Sequence, residues 1–185
     1  MNFSNVKKIT IDAGDVKQIA INGVVVWQGY TNLVPTSTDT DGSIYNGVGY
    51  KDGVRLSSSG GISSSSQPAG TTTGFIPWNG ADTDIIRMKG VEWLGAAEKY
   101  NGHFYINFYD GNKKFLDYFS SQDYSVLTHV VTVTRDSNGV EMVDFNESYG
   151  TSNVMLQAAR QSKYIRITAA GKGANMEVTI NEEIA

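Results

Sequence analysis

Apolar positions along this chain recur at every second residue in short runs, and turn-forming clusters separate the runs. Val6-Lys7-Lys8-Ile9-Thr10-Ile11 and Val16-Lys17-Gln18-Ile19-Ala20-Ile21 are near copies. Each ends in the period-two alternation of a half-buried strand. Asp12-Ala13-Gly14-Asp15 is a turn cluster between them. The second copy runs into Asn22-Gly23, the dipeptide best suited to a two-residue hairpin turn with positive φ at both positions. Val24-Val25-Val26-Trp27 then supplies a return strand. The pattern predicts a three-stranded meander over residues 1–30, an N-terminal β-hairpin arm preceding a main domain at 31–185. A ribbon this small is marginal alone, so it is expected to pack on the main domain or pair with a partner chain. Ile19, Ile21, Val24, Val26 and Trp27 are its candidate assembly residues.

The main domain continues in short strands. Asp84 to Lys89 is a strand pattern ended by Gly90, and Phe104 to Tyr109 is a strand followed by the turn Asp110-Gly111-Asn112. Lys113 to Phe119 is its hairpin partner. Val130 to Thr134 and Val140 to Phe145 flank the turn Asp136-Ser137-Asn138-Gly139. Tyr164 to Thr168 and Met176 to Ile180 flank the glycines at 171 and 173. Val154 to Arg160 is the best helix candidate, and Val91 to Lys99 has room for one helical turn. The Ser-, Gly- and Thr-rich stretch from Leu56 to Thr73 reads as a mobile loop, with a strand bearing outward hydroxyls as its alternative. Strands this short, with turn signals roughly every ten residues, predict an all-β sandwich, jelly-roll-like in character.

Composition narrows the function classes. The 185 residues suit one medium domain with a small appendage. There is no cysteine, hence no disulfide framework and no thiolate zinc site. A net charge of −4 with a pI near 5.1, and no run of Lys and Arg, argues against nucleic-acid binding. The longest apolar stretch, Val24 to Trp27, is too short to cross a bilayer. The first residues lack the apolar core of a signal peptide, so export by that route is not expected.

Candidate chemistry concentrates on one strand. Phe104, Ile106 and Phe108 share a face that reads as core, while His103, Tyr105, Asn107 and Tyr109 share the other. Flat phenol rings suit the apolar faces of sugars, and an amide suits their hydroxyls. Tyr105, Asn107 and Tyr109 are therefore candidate glycan-binding residues, with cross-strand aromatic packing as the structural alternative. Trp78 and Trp93 are further stacking candidates, a role that competes with core packing. Asp39-Thr40-Asp41-Gly42-Ser43 has the oxygen-rich start of a calcium loop, but Tyr50 stands where the closing carboxylate belongs. It reads as an Asx turn, as do Asp82-Thr83-Asp84 and Asp136-Ser137-Asn138-Gly139. No metal or other cofactor is expected. Nucleophile-elbow, phosphate-loop and His-Glu-x-x-His signatures are missing, and His103 and His129 stand apart. A glycosidase needs only two carboxylates brought together in space; Glu92, Glu98, Glu141 and Glu147 are the nominees, with nothing local to distinguish them from surface acids. The chain is expected to be non-enzymatic.

Three stretches carry a resemblance. One is Thr31-Asn32-Leu33-Val34-Pro35 with Asp39 to Asn46 and Gly49 to Gly53. Another is Gly74-Phe75-Ile76-Pro77 with Asp84 to Val91 and Tyr105 to Asp110. The third is Tyr164-Ile165-Arg166-Ile167 with Val178 to Ile184. Together with the leader Ile21 to Trp27, they resemble a module of tail, baseplate and capsid-decoration proteins from phages of Gram-positive bacteria. The resemblance implies a virion component, assembled in the host cytoplasm and folded like a carbohydrate-binding β-sandwich. Other virion proteins, copies of itself and a host-surface glycan are its implied partners. It implies no catalytic residues.

Overall fold

The computed structural model of the protein describes residues 18–21, 24–28, 32–34, 44, 47, 49–57, 59–63, 70–78, 80, 84–91, 104–121, 131–145, 154–169 and 172–184; in 18–28 and at 63 it describes backbone only. In chain order the strands are β1 (Gln18–Ile21), β2 (Val24–Gln28), β3 (Tyr50–Asp52), β4 (Arg55–Leu56), β5 (Ile62–Ser63), β6 (Thr71–Thr73) and β7 (Ile76–Pro77). There follow β8 (Ile85–Lys89), β9 (Tyr105–Tyr109), β10 (Phe115–Ser120), β11 (Val131–Arg135), β12 (Glu141–Phe145), β13 (Tyr164–Ala169) and β14 (Glu177–Ile180). One helix, α1 (Val154–Gln161), precedes β13.

The expected all-β, sandwich-like fold is what forms. The first sheet has the order β10-β9-β13-β6-β3, with β7 also paired to β13, and the second runs β11-β12-β8-β14. All these pairs are antiparallel. Period two explains the core. Ile106 and Phe108 on β9 and Ile165 and Ile167 on β13 meet Ile86 and Met88 on β8 and Val143 and Phe145 on β12. Phe145 of the second sheet packs edge-on against Phe108 and Phe119 of the first, with centroids 5.6 and 5.9 Å away. Such tilted ring pairs hold the two sheets at a fixed spacing. Helix α1 buries Met155, Leu156, Ala158 and Ala159 and packs against β10 and β9.

The predicted turns form as the residue types require. Asp110 accepts hydrogen bonds from the Asn112 and Lys114 amides, and Asp136 does the same for Asn138 and Val140. These are Asx turns, and each joins the hairpin expected of it. In the arm, Gln18–Ile21 pairs with Val24–Gln28 across two residues, with a bulge at Ile19/Ala20. The arm's side chains, its first repeat (6–11) and the helical turn expected within 91–99 lie outside the described residues.

One expectation fails. Leu56 to Thr73 is not a loop throughout: β4 and β5 pair as a short hairpin, and β6 lies inside the first sheet with Thr71, Thr72 and Thr73 fully buried. Low apolar content misleads here because the threonine hydroxyls are satisfied internally. Thr72 Oγ1 bonds Thr168 Oγ1, and Thr73 Oγ1 accepts from the Ile167 amide.

Where β8 ends, Gly90 has φ +69°, and a Cβ there would stand 1.9 Å from the Asn175 carbonyl oxygen. That oxygen belongs to the 3-10 turn Gly173–Asn175 leading into β14. Backbone cannot yield as a flexible side chain does. Gly90→Ala is therefore expected to cost about 2 kcal/mol or more, measured by denaturant unfolding. A midpoint equal to that of the parent protein would refute this.

Candidate functional site

The first sheet turns one face to the core and the other toward Ile44, Val54 to Ser57 and Gly60. On this second face the pairing register sets side chains in rows. Tyr118, Asn107 and Arg166 form one row across β10, β9 and β13. Ser120, Tyr105, Thr168 and Thr72 form the next. Phe115, Tyr109 and Tyr164 form the row beyond the first. Alternation alone would make this face solvent-exposed, yet β9, β13 and β6 are buried on almost every residue.

The reason is a polar second layer. Asn107 Nδ2 donates to the Ser57 carbonyl at 3.2 Å and Tyr109 Oη to the Gly60 carbonyl at 3.1 Å. The Leu56 amide donates to Thr168 Oγ1, and Thr72 Oγ1 to the Val54 carbonyl. Sheet side chains thus bond backbone groups of Val54, Leu56, Ser57 and Gly60, in addition to the bonds that β4, β5 and their connection make among themselves. Gly60, at φ +79°, lies against Phe115, whose ring a Cβ would strike.

Arg166 is the centre of this layer. It is 3 % exposed, with Nε donating to the Thr73 carbonyl and Nη2 to the Ile44 carbonyl, at 3.0 and 2.9 Å. Its guanidinium carbon lies 5.0 Å from the Phe75 ring centroid. Lys113 Nζ lies 5.0 Å from the same ring and 5.7 Å from that of Tyr164. Phe75 also packs edge-on against Tyr109 at 4.9 Å and Tyr164 at 5.8 Å. Burial pushes the Tyr109 phenol above its usual range, and the nearby Arg166 charge partly offsets this. Burial likewise lowers the Arg166 value, with Tyr109 as the offset. Asn107 is 1 % exposed, and its Oδ1 receives no hydrogen bond. Turning the amide over would face two carbonyl oxygens at Ser57, so this orientation is fixed by its partner. A buried acceptor left unmet costs about 1–3 kcal/mol.

The structure therefore brings Tyr105, Asn107 and Tyr109 onto one face, but as a largely covered one. Asn107 and Tyr109 are buried beneath Ser57 and Gly60, because their polar atoms serve those carbonyls. Tyr105 is half-buried and lies 6.1 Å, centroid to centroid, from the half-buried ring of Tyr118. Trp78 is not on this face. It is 2 % exposed in the core, with Nε1 donating to the Ala159 carbonyl and its ring against Phe145, so it offers no stacking surface. Trp93 lies outside the described residues, as do Asp39 to Asp41, His103, His129, Glu92, Glu98 and Glu147. Glu141 is buried at the start of β12, where Arg135 Nη1 donates to its Oε1 at 3.1 Å. Among the described residues no cluster of metal-ligating side chains occurs.

Sequence reading missed Tyr118, Phe75, Lys113 and Arg166. Counting outward from the Asp110 turn does not reach Tyr118, because a bulge between Phe115 and Asp117 shifts the register and sets Tyr118, not Asp117, opposite Asn107. Nor could Arg166 be reached, because which residue of β13 faces Asn107 depends on a register no local signal sets. An open groove elsewhere, of about 780 Å³, is lined by Lys89, Arg135, Lys172 and Glu177 among others. Burial pushes the Glu177 carboxyl up. Its mixed charges converge on no common feature. Compared with known protein families, curated proteins and solved structures, the chain matches none.

Because the folded state holds the Tyr109 proton more tightly than the unfolded chain, the associated stability is present below the unfolded phenol value, near 10, and drains as pH rises above it. Arg166 stays charged through that window. Ring-labelled tyrosine NMR should show one phenol resisting ionisation above pH ~10 and missing from Tyr109→Phe. Uniform ionisation of all tyrosines in the intact fold would refute this.

Proposed function

We propose that the chain is a structural component of a phage virion that works by contact rather than catalysis, and that its sandwich recognises host-surface glycan through the outer face of the first sheet. The observation that carries the glycan reading is the pairing of Tyr105 and Tyr118 beside Asn107. Two half-buried rings offer apolar surface at different tilts. Sugars present an apolar C–H face, which ring surfaces of this kind match. The virion setting rests on the sequence resemblance. It is supported by the arm, whose strands β1 and β2 pair with each other alone among the described strands and would gain from a partner edge.

Binding of the full chain to a host cell-wall glycan array is the direct test. The Tyr105→Ala/Tyr118→Ala double variant should keep its circular dichroism and lose roughly tenfold or more in affinity. No bound glycan, or undiminished binding by the variant, would sink the reading. For the virion setting, removing residues 1–30 should abolish incorporation into particles while the remaining sandwich stays folded. Truncated protein that still incorporates would refute a role for the arm.

A further inference from the structure

Arg166 and Lys113 break a strong regularity. Buried or clustered cations are normally answered by carboxylates, and this chain has 19 acidic residues to place. Yet both cations converge on the single ring of Phe75, each 5.0 Å from its centroid, and no carboxylate among the described residues pairs with either. The two charges therefore lie within about 10 Å of each other, roughly the screening length at 0.1 M salt. Ring contact and backbone carbonyls partly compensate them, but carry no net charge.

Lys113 adds a second irregularity. It holds φ 63° in the turn after Asp110, a left-handed conformation that favours glycine or asparagine. The constraint fixes where the lysine leaves the backbone, and its ammonium stands over Phe75 and Tyr164. Lys113 is exposed, Phe75 and Tyr164 are half-buried, and Arg166 is buried. The site thus grades from an accessible cation to an inner one along an aromatic wall.

We infer that Lys113, Phe75 and Arg166 form an anion subsite of the sheet face, taking a negatively charged group carried by the glycan. The inference rests on the glycan reading above and specifies the ligand: a sugar bearing a carboxylate or phosphate, whose charge meets the exposed Lys113 ammonium, with the Arg166 charge adding to the field from beneath. A neutral sugar would leave the paired cations unanswered.

The test is an amide-resolved NMR titration of the full chain with glucuronate, glucose 6-phosphate and glucose. Saturable shifts at residues 75, 113, 164 and 166 are expected with an anionic sugar and not with glucose, and the stronger of the two responses identifies carboxylate or phosphate as the preferred group. Lys113→Asn removes the charge and tolerates the left-handed turn. It should weaken anionic-sugar binding about threefold, the scale of an exposed ion pair. Arg166→Met should abolish it, with Lys113→Asn as the decisive variant if loss of Arg166 prevents folding. Equal response to glucose, or a Lys113→Asn titration identical to that of the parent, overturns the anion subsite but leaves glycan binding standing. No response to any of the three also overturns the subsite, and the array then decides the glycan reading separately.

Discussion

The guanidinium of Arg166 is the fixed point of the described structure. It sits on β13, the strand that joins β9 to β6 and β7, and it reaches across the sheet face to the carbonyls of Thr73 and Ile44. One of these, on Thr73, lies where β6 gives way to β7 and the ladder is interrupted. The other, on Ile44, belongs to the layer above. A guanidinium serves here where a hydroxyl would not, because it carries several N–H donors in a fixed fork and so reaches both carbonyls at once. With the arginine in place, the sheet can carry a covering layer of backbone without leaving it unpaired.

That covering makes the first sheet unlike the second. In β12 and β8, alternate residues are buried and half-exposed, the ordinary signature of a sheet with one wet side. In β9 and β13 the alternation all but disappears. The polar side chains of those strands are spent on the layer above, and the remaining surface is a rim of rings around Phe75 and along Tyr105 and Tyr118. The proposed recognition face follows from this division: a rigid floor held by hydrogen bonds, with aromatic edges left partly open.

How much of this is legible in the sequence depends on range. Hairpins closed by Asp110 and Asp136 are encoded within a few residues, since each aspartate caps its own turn, and the strands around them fall where the alternation puts them. The helix at Val154–Gln161 was equally visible. The buried threonines of β6 were not, because a Ser- and Thr-rich run looks like solvent-facing chain until Thr168 is known to lie opposite Thr72. The same gap separates Tyr109, nominated as a surface ring, from its buried place under Gly60. For Trp78 the sequence leaves stacking and core packing open, and only the Ala159 carbonyl and the Phe145 ring decide for the core.

Long-range anchoring also orders events in time. Arg166 meets Ile44 across 122 residues, and Asn32 accepts a hydrogen bond from the Val178 amide across 146. Neither contact can form until the residues between its partners have been made, and such non-local pairing slows folding, with a closure cost that rises as the logarithm of loop length. During synthesis the early strands would wait, with edges unpaired, for a C-terminal strand still inside the ribosome. A chain built this way exposes the β6 edge that β13 later covers for as long as that interval lasts.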